Sequence, residues 1–462
     1  MIRLIITVTF SVFMFISSFA QNIKGDWYGK LDIQSVKLRI SFHVKENNGD
    51  YKTTMDSPDQ NVFDIPTDTT IVAENKITVI IKNMMVKFEG ELNNDVIIGT
   101  FNQGGMSIPL NLTHQKIIKE KINRPQTPNK PYPYKSIEVS FINIKANNIK
   151  LAGTLTIPNN TIKPAVAILI TGSGPQNRDE EILNHKPFLV IADYLTRNGI
   201  AVLRFDDRGV AQSEGKQKGA TSADFATDVE AAINYLKARN DINPNKIGLI
   251  GHSEGGFIAP MVASENRDIA FIVLLAGPGV DGAKVLRTQT KKAFELAGMS
   301  KEHIDFNDNL YKEIYQLVKT ENNVSILKDK MKKLLDKSKE NAPKTFAIEL
   351  TDTVIKQQVQ TLSSPWMRYF IKINPKYFLN KVTCPVLALN GTKDFQVIAD
   401  LNLNGIKIAL KNNKDVSIKK LEGLNHLFQT CETGSFNEYA EIEETFSPKA
   451  LTIITNWINK RF

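Results

Sequence analysis

Between residues 165 and 275, short apolar runs alternate with amphipathic stretches. Ala165-Val-Ala-Ile-Leu-Ile170, the run at 200–205, Lys246-Ile-Gly-Leu-Ile250 and the run at 269–275 are too short for helices and read as buried strands. The segments near 185–198, 222–239 and 254–264 lie between them and read as helices. Such alternation predicts a mostly parallel sheet with helices on both faces. Ile137 to Ile157 precedes it as a hairpin turning at Ala146-Asn-Asn148. Cys384-Pro-Val-Leu-Ala-Leu-Asn390 and Asp415-Val-Ser-Ile-Lys-Lys-Leu421 add two late strands. The roughly 100 residues between strands 269–275 and 384–389 have helical composition. An insert of that length is far longer than an ordinary connection, so residues 281–381 are expected to form a helical cap over the strand ends.

A different period rules the N-terminal part. From Gly25 to His114 the segments are short, alternate with period two and are separated by turns. Val36-Lys-Leu-Arg-Ile-Ser-Phe42, Lys76-Ile-Thr-Val-Ile-Ile81, Val86-Lys-Phe-Glu-Gly90, Ile97-Ile-Gly-Thr-Phe101 and Ile108-Pro-Leu-Asn-Leu112 are examples. They predict a separate antiparallel β unit, a small barrel or a meander, in an accessory role. Its opening, Gly25-Asp-Trp-Tyr-Gly29, is similar to the start of lipocalin-like strands. Prolines 125, 128, 131 and 133 follow, a composition that resists helix and sheet and predicts a semi-rigid spacer. The expected division is a leader at 1–20, a β-rich domain at 21–115, a Pro-rich linker at 116–135 and a catalytic α/β domain at 136–462.

The chemistry concentrates at Gly251-His252-Ser253-Glu254-Gly255, directly behind one predicted strand and ahead of a small-residue helix. A G-x-S-x-G pentad alone is weak evidence. In a strand–turn–helix context it raises a serine hydroxyl onto a strained, exposed corner, with the helix N-terminus aimed at a developing oxyanion. A Cβ at either glycine is expected to collide with the neighbouring strand and helix.

Serine needs a base and an orienting acid, expected in the chain order Ser, Asp or Glu, His. Only six histidines occur. His43 and His114 fall in the β-rich part, and His252 is inside the elbow, its side chain expected to point away from the serine. His185 precedes the serine, and His303 lies in a charged helical stretch. His426 remains, in the loop Glu422-Gly-Leu-Asn-His-Leu-Phe428 after a late strand. Asp394 ends the turn Gly391-Thr-Lys-Asp394 off the preceding strand, 32 residues earlier. Singly, these are an ordinary turn aspartate and loop histidine; in this order they read as a triad. The oxyanion donors are expected to be the backbone N–H of Glu254 and one from Thr171-Gly-Ser-Gly-Pro175, Ser173 or Gly174.

From about Lys135 onward the chain resembles bacterial exported α/β-hydrolases of the serine-aminopeptidase-like carboxylesterase group. The resemblance rests on Thr171-Gly-Ser-Gly-Pro-Gln-Asn-Arg-Asp179, Phe205-Asp-Asp-Arg-Gly-Val-Ala-Gln-Ser213, the elbow, Ser364-Pro-Trp-Met-Arg368, Leu389-Asn-Gly-Thr-Lys-Asp394 and Leu424-Asn-His-Leu-Phe428. It implies an α/β-hydrolase fold and hydrolysis of small or short-chain carboxylic esters by Ser253, Asp394 and His426. Thr171 departs from the pattern, standing where a histidine often precedes the oxyanion-loop glycine. The rivals are an exported serine aminopeptidase or other peptidase, in which Glu180 or Glu181 would bind the substrate ammonium, and a non-catalytic binding protein on a hydrolase scaffold. Both glutamates read by default as surface carboxylates. Pro365-Trp-Met-Arg-Tyr-Phe370 either lines the acyl or alcohol pocket or packs the cap on the body.

Composition narrows the class further. The formal charge is +9, but residues 281–381 hold 19 Lys and Arg against 12 Asp and Glu. The surplus therefore sits on solvated helix faces, without the aromatic-interleaved groove that single-stranded nucleic acid needs. Arg3 followed by the uncharged, largely apolar Leu4–Ala20, with Ser18-Phe-Ala20 at its end, reads as a cleavable export signal. A periplasmic or extracellular protein with no membrane span after cleavage is expected. Cys384 and Cys431 fall at opposite ends of a six-residue strand, about 20 Å apart, and are expected to be buried free thiols. No zinc spacing, calcium loop or phosphate loop occurs in the chain, so no cofactor is expected.

Overall fold

The computed structural model describes residues 23–33, 36–60, 62–103, 106–118, 122–343, 346–347 and 350–462. The expected leader at 1–20 lies outside the described residues. The chain divides into two compact units, 1–121 and 122–462.

The first unit is a nine-stranded antiparallel sheet. Its strands are β1 (Gly25–Ile33), β2 (Val36–Asn47), β3 (Asp50–Ser57), β4 (Val62–Pro66), β5 (Thr69–Ala73), β6 (Lys76–Ile81), β7 (Val86–Asn93), β8 (Val96–Gln103) and β9 (Met106–Thr113). Their order is β4-β3-β2-β1-β9-β8-β7-β6-β5, a meander whose first and last strands pair side by side. β4 and β5 form the two edges, yet the turn between them is bonded to both flanks. Thr67 N–H donates to Thr53 O at 3.2 Å and Asp68 N–H to Ile80 O at 2.9 Å. The sheet therefore curls into an incomplete barrel around Trp27, Phe42, Phe88 and Leu110, all buried. Trp27 satisfies its indole N–H on Ile23 O at 2.7 Å, so the large ring is buried with no orphaned donor.

The second unit holds an eight-stranded mixed sheet. Its strands are β10 (Lys135–Asn143), β11 (Ile149–Ile157), β12 (Val166–Ile170), β13 (Ala201–Phe205), β14 (Ile247–His252), β15 (Phe271–Leu275), β16 (Val386–Gly391) and β17 (Val416–Leu421), in the order β10-β11-β13-β12-β14-β15-β16-β17. β10 and β11 form the expected hairpin; its turn is possible because Asn147 and Asn148 accept the left-handed conformation, at φ 54° and 59°. From β13 to β17 every pair is parallel. Parallel strands are covered on both faces, which explains their unbroken apolar runs. One face, with Ile168, Leu249 and Ile272, packs on helices Ser222–Lys237 and Gly255–Glu265. The other, with Leu169, Ile250 and Val273, packs on helices Pro187–Arg197 and Pro448–Asn459.

Helices at 282–296, 301–320, 324–341, 352–362, 365–372 and 376–379 fill the connection between β15 and β16. They share a separate core of Leu310, Ile314, Val318, Leu327, Met331 and Leu335. The lysines ride on their outer faces.

Two expectations need correction. The stretch expected as a spacer is bound to the second unit before its first strand. Arg124 donates to Ala440 O and Ile442 O, each at 2.7 Å. Gln126 accepts Thr445 N–H and Phe446 N–H at 2.6 and 3.0 Å and returns a bond to Phe446 O. Fixed side chains, rather than proline stiffness, set this segment. The two cysteines are free but half-buried, not buried. Loss of solvent still pushes the Cys384 thiol up to about 12 and Cys431 up to about 11, so both are poor nucleophiles.

Candidate active site

Strand β14 ends at His252, and Ser253 turns off it in a left-handed backbone conformation, φ 52°. That geometry is strained for a side chain larger than glycine and is tolerated here because close contacts on both sides fix the turn. A Cβ at Gly251 would lie 2.0 Å from Gly255 O, and one at Gly255 would lie 2.2 Å from Ile170 O. The helix start is thus pressed against both its own strand and β12. Ser253 N–H is anchored on Leu275 O at 2.9 Å. Helix Gly255–Glu265 begins immediately behind with Glu254 as its N-cap, and the Gly256 and Phe257 N–H groups already bond back to Ser253 O and Glu254 O, each at 2.8 Å.

The loops after β16 and β17 are sewn together. A Cβ at Gly391 would meet Leu424 O at 2.0 Å, so only glycine allows this approach. Lys393 N–H then bonds Leu424 O and Gly423 N–H bonds the Thr392 hydroxyl, each at 2.9 Å. This brings His426 Nδ1 to 2.8 Å from Asp394 Oδ2, with both residues 4 % exposed. The other oxygen, Oδ1, accepts Gln396 N–H and Val397 N–H at 2.8 and 2.9 Å. Three donors on one carboxylate fix its orientation. His426 therefore carries its proton on Nδ1 and leaves Nε2 as an acceptor.

Ser173, Ser253, Glu254 and His426 line one cavity of about 250 Å³, with Trp366 and Phe370 of the cap among its walls. The Pro365–Phe370 cluster both lines this cavity and packs the cap on the body, through Phe370 against Phe257. Trp366 stacks on Phe370 and donates its indole N–H to Glu254 Oε1 at 2.9 Å, joining cap to elbow. Ser222 also donates to that oxygen, at 2.6 Å, whereas Glu254 Oε2 is buried with no partner. Burial holds the Glu254 carboxyl above the usual range, against the bonds it accepts.

The loop after β12 is braced from behind by acids. Thr171 Oγ1 and Gln176 N–H donate to the two oxygens of Asp207 at 2.8 and 3.0 Å. Arg178 pairs with Asp206 at 2.7 Å. Desolvation, aided by the charges of Glu180 and Glu254, pushes Asp207 up to about 8. Gly172 N–H is bound at 2.7 Å by Glu180 Oε1, and so is not free for a substrate. Gly174 adopts φ 99° and is not among the cavity's lining residues, whereas Ser173 is.

Sequence reasoning missed two members of this neighbourhood. Glu180, read as a surface carboxylate, is 3 % exposed. His252, set aside as pointing away from the serine, joins Glu180 to the His426 loop through both ring nitrogens. Glu180 sits in the run Asp179-Glu180-Glu181, which has the composition of an exposed turn. Its adoption of φ 50° turns it inward, and no local pattern signals that. Among the described residues, no group of three or more His, Cys, Asp or Glu is arranged to hold a metal ion, and no helix is long and apolar enough to cross a membrane.

Parallel order across β13–β17, a glycine-flanked serine turn after β14, and Asp394 and His426 in the loops after β16 and β17 together decide the architecture. The second unit has the α/β-hydrolase fold. A family model described as serine aminopeptidase S33 matches residues 186–348 of this unit. Esterase EstD of Thermotoga maritima is 26 % identical over 282 residues, 60 % of this chain and 58 % of EstD. The match therefore spans less than two thirds of that relative. AB hydrolase superfamily protein YisY of Bacillus subtilis is 28 % identical over 219 residues, 46 % of this chain and 70 % of YisY. Among solved structures, the Pyrococcus furiosus esterase Pf2001 aligns with a TM-score of 0.44 at 17 % identity, covering 75 % of this chain and 99 % of that one. The family model and the two sequence relatives are all described as hydrolytic enzymes.

Proposed function

We propose that the hydrolase cleaves small, short-chain carboxylic esters by acyl transfer to Ser253 and then to water. The observation that carries this reading is the buried His426–Asp394 bond of 2.8 Å in the cavity that Ser253 lines. His426 Nε2 takes the Ser253 proton as Oγ attacks the ester carbonyl. The tetrahedral oxyanion is held by the N–H groups of Glu254 and Ser173. His426 then passes the proton to the leaving alcohol as the C–O bond breaks. Water, deprotonated by the same nitrogen, releases the acid and restores the serine. Asp394 keeps the proton on Nδ1 and stabilises the transient imidazolium.

An aminopeptidase would need a carboxylate free to bind the substrate ammonium. Glu180 is already bonded to Gly172 N–H and His252, and Glu181 is exposed beside Lys186. These contacts favour ester over aminoacyl substrates. Parallel assays on p-nitrophenyl acetate, a long-chain p-nitrophenyl ester and an aminoacyl-naphthylamide test this. The acetate should be turned over fastest; preference for the naphthylamide would establish the peptidase instead, and turnover of none would leave a binding protein.

Export to the periplasm or exterior, by the leader at 1–20, belongs to the same proposal; an unprocessed N-terminus on protein recovered from the native cell would refute it. The N-terminal β unit is taken as accessory, because Ser253, Asp394 and His426 all lie in the second unit. A chain beginning at Ile122 should keep activity on p-nitrophenyl acetate. A cooperatively melting truncation without activity would show instead that the β unit helps to build the site.

A further inference from the structure

Glu180 and His252 take no part in the proton relay, yet both are buried at its centre, 3 % and 6 % exposed. Glu180 Oε1 accepts Gly172 N–H at 2.7 Å and lies 2.9 Å from His252 Nδ1. His252 Nε2 lies 3.0 Å from the backbone oxygen of His426. Both ring nitrogens therefore face oxygen acceptors. A neutral imidazole has one N–H, so either tautomer would turn a lone pair against an oxygen. An imidazolium donates to both oxygens at once and leaves Glu180 Oε1 free to accept Gly172 N–H as well. Burial pulls the His252 pKa down, but the Glu180 charge and hydrogen bond, the His426 carbonyl and the Asp394 charge outweigh it, and the net shift is upward. The His426 ring packs against the His252 ring at 4.9 Å between centroids, tilted by 45°. Because Glu180 balances its charge, the pair can sit beside His426 without opposing the positive charge that His426 gains in the reaction.

The bonds join three segments of the chain: the Gly172 backbone, which precedes Ser173 after β12, the ring of His252, the last residue of β14 before Ser253, and the His426 backbone beyond β17. We propose that the Glu180–His252 ion pair is a positioning unit that holds the oxyanion loop, the elbow and the base loop in mutual register for acyl transfer. This rests on the esterase reading. By consuming Gly172 N–H, the pair leaves Ser173 N–H as the oxyanion donor of its loop. By holding the His426 backbone, it fixes the base from the side opposite Asp394. Such a unit changes the reaction step more than ground-state binding, since a displacement of about 1 Å can cost about 100-fold in rate.

The test separates the two ends of the ring. Asn at 252 places its amide nitrogen near the Nδ1 position and keeps the bond to Glu180; Gln reaches the Nε2 position and keeps the bond to His426. H252N should lower kcat on p-nitrophenyl acetate by about 10- to 100-fold, with KM changed by less than about threefold. H252Q should recover most of that loss at a similar Tm. Equal kcat loss in both, tracking Tm, would reduce the pair to core packing and overturn the proposal. If H252N does not fold, E180Q serves, because its amide oxygen still accepts Gly172 N–H while no neutral imidazole can satisfy the rest. It should show the same kcat loss, and wild-type kcat in E180Q would overturn the proposal. Nitrogen-15 NMR of labelled histidines, assigned with H252Q, should find both His252 ring nitrogens protonated at pH 7. A single protonated nitrogen would also overturn it. Failure of the esterase reading is seen separately: wild-type Ser253 would then not react with a serine-directed phosphonate, whatever the NMR shows.

Discussion

The body and the cap of the hydrolase solve opposite problems. Around Ser253 the body buries charge and satisfies it. Asp394 accepts two backbone N–H groups besides His426, and Arg178 and Asp206 lock the segment behind the oxyanion loop. A misplaced donor in such a network costs the full desolvation of a buried polar group, so each loop has one low-energy position. The cap keeps its charges outside. Its Lys332–Asp336 pair is mostly solvated, with side chains 64 % and 44 % exposed, and its interior is apolar. Surface pairs of this kind fix little. The cap meets the site through the Trp366–Glu254 bond and through apolar side chains such as Leu286 and Phe370. On the proposed reading, chemistry belongs to the body and substrate shape to the cap.

The largest expected effects lie in the body. S253A should fold normally and lose about 10⁴-fold or more in kcat, and D394N about 10⁴-fold, because the wrong His426 tautomer is then favoured. A D394N enzyme with wild-type kcat would show that Asp394 does not orient the base.

Changes in the cap should be smaller and of another kind. W366A should alter the relative rates on acetate, butyrate and octanoate esters by about 10-fold while sparing the acetate rate, since removing apolar wall shifts discrimination by about 1–3 kcal/mol. Unchanged relative rates across the series would remove the cap from the acyl pocket. The Glu254 contact makes this the place where body and cap most nearly overlap. A collapse of the acetate rate in W366A would therefore break the division itself.

The smallest effect concerns stability. Asp207 holds its proton up to about pH 8 in the fold but ionises in the ordinary carboxylate range when unfolded. The folded state then binds more protons between those values, so the Asp207 contribution is present at low pH and is lost as pH rises towards 8. D207N should remove that slope. Its amide oxygen can accept Gln176 N–H while its NH₂ donates to the Thr171 hydroxyl. D207N should melt close to wild type near pH 5 and above it near pH 9. Parallel Tm–pH curves for the two proteins would refute a protonated Asp207.

The same contrast governs what could be read from sequence. Strands β12 to β16 are covered on both faces, so their residues are mostly apolar and stand out in the chain. The elbow and the acid and base loops follow directly from those strand ends. In the β unit, β3 was less visible because its inward positions include Thr53 and Ser57 as well as Met55. A buried polar residue leaves no apolar period. Arg124 and Gln126 were invisible for a related reason, since their partners lie more than 300 residues away. Glu180 and His252 are 72 residues apart and meet only once three loops have been assembled. Order along the chain draws Ser253, Asp394 and His426 into one reading, but gives no sign of the Glu180–His252 pair.

The central claim is that Ser253 is the nucleophile served by His426 and Asp394. Its most direct measurement is the intact mass and peptide map of the protein after reaction with a serine-directed phosphonate, for wild type, S253A and D394N. The account predicts one stoichiometric adduct on Ser253 in wild type, none in S253A and markedly slower formation in D394N. An adduct on another serine, with S253A still hydrolysing p-nitrophenyl acetate, would contradict it.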